Sequence, residues 1–427
     1  SGEVNVSGSV SFPSRDVVAA RVDLYASGHQ CEEFWYSNVP DAYANATGAC
    51  GGGAYRELEL YVDGLLAGAT YPFPVIYSGG VCPLLWRPIA GPYQFNIPPY
   101  VFDLAPFLGV LNDGANHTIA ARVRGNNDGG VWYLDPVLVA TRRVAAAPIS
   151  GGLTRHTRPN PVVHVDVRTH GNASWLFRTR ASSSYAVEGW ARDGAGRTVH
   201  RGVRGTLAAW NTNALANVGG SGGLSTDDGI TNTTGEMHAT TDAWADGATG
   251  DWGGGGGGAT GRGHRRDDGG GTWQRSELRY PYEVNDTEAQ DSSSFQLQGS
   301  VRLAAHRSET GGRAGDGSDG GGLTWSAVVA SQATYNRSTD ASRMPHVERG
   351  ESTATFASPR ACVDQRLAGA NGSFTAAHTR DGCPESVARR QLCEVYDQCG
   401  VPPPEVARRT VKGGERALLW RRRRHRV

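Results

Sequence analysis

Arg56-Glu57-Leu58-Glu59-Leu60-Tyr61-Val62-Asp63-Gly64-Leu65-Leu66-Ala67-Gly68-Ala69-Thr70 is the stretch that decides the fold class. Leu58, Leu60 and Val62 alternate with Glu57, Glu59 and Tyr61, the period of two of a strand with one apolar face. Asp63-Gly64 supplies the residues a type I′ turn demands, and a second apolar run follows, so residues 56–70 read as a β-hairpin. The pattern continues outward. Residues 17–26 put Ala20, Val22, Leu24 and Ala26 on one face and Arg21, Asp23 and Tyr25 on the other. Asn112-Asp113-Gly114 repeats the turn signal ahead of a strand over 117–123, and the near-continuous apolar run over 131–141 reads as a central strand. Pro72, Pro74, Pro83, Pro88, Pro92, Pro98 and Pro99 rule out long helices in between. Residues 1–147 are expected to form an antiparallel β-sandwich.

A length of 427 residues leaves room for a second domain. The stretch 148–161 reads as a linker. Strand patterns resume within 162–385, at 162–169, 183–190, 198–209, 295–305 and 323–335. Two glycine-rich stretches, 218–272 and 309–322, read as low-complexity insertions in that second β domain. Residues 386–427 form a Cys- and Pro-containing tail ending in Arg421 to Arg424, which reads as solvated.

Lys plus Arg and Asp plus Glu each number 42, so no overall field recruits nucleic acid. No apolar run reaches the roughly 18 residues that cross a bilayer, and no signal peptide is visible. Eight N-glycosylation acceptors, at Asn5, Asn45, Asn116, Asn172, Asn232, Asn285, Asn336 and Asn371, exceed the two or three that chance gives on this composition, roughly counted. They point to the secretory pathway: a secreted, vacuolar or other lumenal protein. The cysteines agree with an oxidising compartment. Cys362 with Cys383 and Cys393 with Cys399 are candidate local bridges; among Cys31, Cys50 and Cys82 one is left over, and spacing does not say which.

Two motif matches carry little. Gly219-Gly220-Ser221-Gly222-Gly223 fits a nucleophile pattern but lies in a glycine tract without the strand-to-helix elbow. His164, Asp166 and His170 on one strand face converge poorly on a metal. Cys31-Glu32-Glu33-Phe34-Trp35-Tyr36 is more informative. Read as a strand, it sets Glu33 beside Trp35 and Glu32 beside Phe34 and Tyr36. A carboxylate next to an indole suits sugar handling: the ring covers a pyranose face and desolvation raises the carboxyl pKa. Trp86-Arg87 and Trp132-Tyr133-Leu134-Asp135 repeat the pairing of an indole with a charge. The bland alternative is an aromatic core strand with a charged edge.

The ordered segments CEEFWYSNVP, YRELELYVDG, YPFPVIYSGG, PLLWRPI and DLAPFLG…LNDG resemble the peptide-N-glycosidase A family (peptide-N4-(N-acetyl-β-glucosaminyl)asparagine amidase A). The likeness is strong over 17–138 and weaker through 183–210, 280–298 and 361–384. It implies two jelly-roll-like antiparallel sandwiches, all-β, with the glycine-rich loops as insertions. It also implies hydrolysis of the amide between N-acetylglucosamine and Asn in glycopeptides or glycoproteins, with no cofactor. On that implication Glu33 (or Glu32) is the base, Asp135 or Glu57 the protonated acid, and Arg87 stabilises the oxyanion or orients a carboxylate. Trp35, Trp86, Tyr36 and Trp132 would line the sugar site. A lectin-like glycan-binding protein is the alternative.

Overall fold

A computed structural model of the chain describes residues 4–76, 93, 97–126, 130–143, 147–171, 173–216, 229–247, 271–290 and 294–313. It also describes the backbone of five later strands over 325–340, 346–358, 361–370, 373–381 and 407–410, and of a sixth over 416–419. The chain is all-β and antiparallel throughout these residues.

The first third is a two-sheet sandwich. One sheet orders β1 (Val4–Ser11), β6 (Asn116–Arg124), β3 (Glu57–Val62) and β4 (Leu65–Thr70); the other orders β5 (Tyr100–Asp103), β2 (Val17–Gln30) and β7 (Gly130–Arg142). The hairpin that the sequence marked is β3–β4, and Asp63 and Gly64 take φ of 50° and 78°, the left-handed pair of the expected turn. Val22 and Leu24 of β2 meet Leu58, Leu60 and Val62 of β3 and Ala121 and Val123 of β6 in one core, all fully buried. Asn112 does more than turn the chain. Its buried side chain accepts from the Val17 amide at 3.0 Å and donates to the carbonyls of Val17 and Leu108, pinning α2 (Leu108–Leu111) to the start of β2. A second short helix, α1 (Asp41–Thr47), lies in the β2–β3 connection.

β7 corrects an expectation: it is an edge strand, and β2 is central. Pro136 in mid-strand explains this, because a residue without an N–H is tolerated where no further ladder must form. Val131, Tyr133 and Val137 are accordingly exposed on its outer face.

The later strands pair in chain order as one meander. β8 (Ser150–Thr157) and β9 (Val162–His170) both pair with β10 (Ser174–Arg192); β11 (Thr198–Ala216), β12 (Gly229–Gly247), β13 (Thr272–Gln290) and β14 (Ser294–Arg313) follow. β8 occupies most of the stretch read as a linker, and β12 and the end of β14 lie inside stretches read as insertions. β12 hides in sequence because its inward positions are largely small or polar, Thr233 and Ala239 among them, so no apolar alternation announces it. The meander shares its core with the sandwich: Tyr36 and Tyr282 rings lie 5.4 Å apart and Phe73 and Tyr280 5.1 Å apart.

Candidate functional site

The segment after β2 turns where a strand was expected. Gln30 takes φ of 56°, amides of Glu32 and Glu33 bond back to the His29 and Gln30 carbonyls, and Trp35–Ser37 form a 3-10 turn. Close approach forces the bend to sit on glycines: a Cβ at Gly28 would lie 2.3 Å from the Glu32 carbonyl oxygen, and one at Gly130 2.3 Å from Glu32 Cγ. The Cys31–Cys50 disulfide closes the far side. It resolves the pairing that the sequence left open; Cys82, Cys383, Cys393 and Cys399 lie outside the described residues, as does the side chain of Cys362. Replacing both Cys31 and Cys50 by Ser opens a loop of sequence separation 19. The chain-entropy estimate for a loop of that size is about 3 kcal/mol, and equilibrium urea unfolding of the double variant should show a loss of that order.

Glu32 is fully buried and so is Arg56. The guanidinium grips both carboxylate oxygens, with Nη2 donating to Oε1 at 2.6 Å, while Nη1 donates to the carbonyls of Gly53 and Tyr55 at 2.9 and 2.6 Å. Trp132 Nε1 donates to Glu32 Oε2 at 2.6 Å. Three donors thus converge on this carboxylate and hold Glu32 as a buried anchor. Glu33 is half-buried on the same turn. Trp35 and Tyr36 are core residues, 3% and 2% exposed, with the Tyr36 hydroxyl donating to the Val75 carbonyl. Trp35 faces a small cavity shared with Tyr71 and Asn211, whose hydroxyl and Oδ1 have no protein partner, a polar spot fit for an ordered water. Neither ring is open to a sugar. Trp86 and Arg87 lie outside the described residues.

Glu57 and Glu59 project from the other side of β3, against the meander, and both are fully buried. Glu57 accepts from the Tyr55 and Ser183 hydroxyls at 2.7 and 2.8 Å and from Arg158 Nη2 at 2.8 Å. Glu59 accepts from Arg122, from Arg124 and from the same Arg158 nitrogen. Burial dominates at Glu57 and raises its pKa from the ordinary 4.5. Burial also opposes ionisation of Glu59, but Arg124, Arg158 and Arg122 outweigh it and hold that pKa below 4.5. The signs differ accordingly. Glu59 stabilises the fold above pH 4.5, and that contribution fades as pH falls through its lowered folded pKa; Glu57 costs stability as pH rises from 4.5 through its raised one. Glu59→Gln should therefore cost about 3 kcal/mol at neutral pH by leaving its arginines uncompensated. Glu57→Gln should cost far less and flatten the decline of melting temperature as pH rises above 4.5. Thermal melts of both variants across pH 4 to 8 check this.

The open site lies elsewhere, on the β2–β7 side of the sandwich. A cleft of about 580 Å³ is lined by Tyr25 and Ser27 of β2, Trp132, Tyr133 and Asp135 of β7, and Asn5 of β1. The register sets Asp135 directly opposite Tyr25 and Ser27 opposite Tyr133, so these side chains share the outer face. Asp135 stands in mid-strand, and it is exposed. Tyr133 is 64% and Tyr25 38% exposed. The His29 ring sits 4.6 Å from that of Tyr133, and His29 Nε2 lies 3.1 Å from the Ser27 hydroxyl. Trp132, on the opposite face of β7 from Tyr133, is buried and borders the cleft, its indole held by Glu32. The structure thus joins Glu32 to Trp132 and sets Asp135 in the cleft, while Glu57 stands apart on the opposite sheet. Tyr25 and Tyr133 were missed as site residues; the signal was their alternation onto one face with Asp135.

Residues 2–136 match the family model described as Peptide N-acetyl-beta-D-glucosaminyl asparaginase amidase A. The resemblance read from the ordered motifs is therefore shown for the first third of the chain, the part that builds the sandwich and its cleft. A relative from Prunus dulcis, named Peptide-N4-(N-acetyl-beta-glucosaminyl)asparagine amidase A, is 36% identical over 188 residues. That stretch is 43% of this chain and 32% of the relative, so the chain spans about a third of the length of the curated protein it matches. No solved structure matches.

Proposed function

We propose that this chain is a glycoamidase that hydrolyses the amide linking N-acetylglucosamine to an Asn side chain in glycopeptides, leaving Asp and a glycosylamine that loses ammonia. The observation that carries the reading is the coincidence of the family match with the aromatic, carboxylate-bearing cleft: all the lining residues named above fall within residues 2–136.

Amide hydrolysis needs a base for the attacking water, a donor for the developing oxyanion and a proton for the departing nitrogen. Asp135 is the base: its carboxylate takes a proton from water as the oxygen attacks the side-chain carbonyl carbon. Tyr133 and Tyr25 lie beneath the sugar, each ring face covering the apolar face of a pyranose. Trp132, held by Glu32 and Arg56, fixes the wall that orients the substrate amide. Arg87 keeps the role of oxyanion donor, whereas Glu33, read from the sequence as the base, exchanges roles with Asp135 and returns a proton to the glycosylamine nitrogen. Glu57, although burial favours its protonated form, is enclosed by Tyr55, Ser183 and Arg158 and serves to hold β3 against β10.

The substrate class implies the secretory lumen. The Cys31–Cys50 disulfide and the exposed acceptors Asn5, Asn45 and Asn116 support that location. Asn232 and Asn285 are weaker acceptors, because their side chains bond each other across β12 and β13. No helix among the described residues is long and apolar enough to cross a membrane.

Incubating a defined N-glycopeptide with the protein and weighing both products tests the reading. Asp in place of the glycosylated Asn, with an intact released glycan, is expected. Cleavage between the two core sugars, or binding without any new product, would overturn it.

A further inference from the structure

β9 reads Val162-Val163-His164-Val165-Asp166-Val167-Arg168-Thr169-His170 and is held on one side. Among the described residues its ladder partner is β10, with Val163 opposite Ala181, Val165 opposite Thr179 and Asp166 opposite Arg178. Natural edge strands are usually blunted by charged side chains, lysine above all, by proline or by a bulge, and the charges of β9, Asp166 and Arg168, lie near each other and near Arg178 of β10. β9 has no Lys or Pro, and its register with β10 runs unbroken from Val162 to His170. Val162, Val163 and Val165 are 66%, 43% and 40% exposed. A strand of unbroken register with a row of backbone donors and acceptors and three exposed valines is built to continue a sheet.

The sequence of the strand says what continues it. In an antiparallel pair related by a two-fold axis, facing residues come from the same face of each strand, so only every second register is allowed. The register centred on Val165 sets Val165 against its own copy and Val163 against Val167, an unbroken valine ladder on one face. On the other face it sets His164 against Asp166, and Val162 against the aliphatic stem of Arg168. Centring on Asp166 would set two carboxylates face to face, which is destabilising. Centring on Val167 would set Val165 against Thr169 and Val163 against Gly171, breaking the ladder.

We infer that β9 is the docking surface for a second copy of this chain, the two strands pairing antiparallel about an axis at Val165 and joining two meanders into one sheet. An unrelated extended peptide would gain the same backbone bonds but not this self-complementarity. The inference does not depend on the proposed activity.

Sedimentation velocity of the full chain over a range of concentrations tests it, with Val165→Lys and Val165→Glu as variants. Wild type should shift from monomer to dimer as concentration rises. Each variant alone should stay monomeric, because like charges meet at the axis, while at concentrations where wild type is also monomeric the melting temperatures should agree because the site is partly exposed. An equimolar mixture of the two should form heterodimers, since Lys then faces Glu. A wild type that stays monomeric at every concentration would overturn the inference. So would a Val165→Lys variant that dimerises like wild type, or a mixture of folded monomeric variants that does not pair.

Discussion

Arg56→Ala should be the most destabilising single change in the sandwich, costing about 3–5 kcal/mol, as expected when one partner of a buried ion pair is removed. The loss is not confined to the charge pair. The buried Glu32 carboxyl would lose both guanidinium bonds, and the carbonyls of Gly53 and Tyr55 would lose the Nη1 donor. Three chain segments meet at this point: the turn after β2, the approach to β3 and the start of β7. Urea unfolding followed by tryptophan fluorescence measures the effect. The paired replacement Glu32→Leu with Arg56→Met should recover much of the stability, because apolar groups of similar volume restore packing without an unpaired charge. A cost below about 1 kcal/mol for Arg56→Ala would place the pair among solvent-screened surface bridges and contradict its burial.

Asp135→Asn should lower kcat on an N-glycopeptide by about 10²- to 10⁴-fold, the range for losing a positioned general base. Its effect on KM should be small, because Asn keeps the shape of the side chain and the sugar rests on the tyrosines. Tyr133→Ala should show the converse split, raising KM more than it lowers kcat, since a stacking platform serves ground state and transition state alike. Neither change should alter the melting temperature much, as both side chains are exposed on an edge strand. Steady-state kinetics with a labelled glycopeptide separates the two effects. A Glu57→Gln variant that lost turnover while Asp135→Asn kept it would move the chemistry to the opposite face of the sandwich.

Local pattern made the β3–β4 hairpin legible, because strand period and turn chemistry agree within fifteen residues and burial follows from both. The turn over 31–38 was not, because its shape depends on Gly28, Gly130 and Cys50, residues that let two strands and a loop crowd around Glu32. An aromatic run beside two carboxylates looks the same in sequence whether it lies open as a sugar platform or closed as a core. Glu32 shows why: its charge partner is 24 residues away and its indole donor 100. β12 was invisible because strands in a meander gain their ladders from neighbours and need little apolar alternation of their own. Asp135 was legible as a carboxylate in a β strand, whereas the role of Tyr25 depends on a register that only the fold sets.

The most direct test of the glycoamidase reading is to run the reaction in water enriched in oxygen-18 and weigh the peptide product. Hydrolysis at the side-chain amide should put one heavy oxygen into the newly formed Asp with wild type, and Asp135→Asn should form that product far more slowly. A peptide that still carries Asn, with or without a residual sugar, would contradict the account.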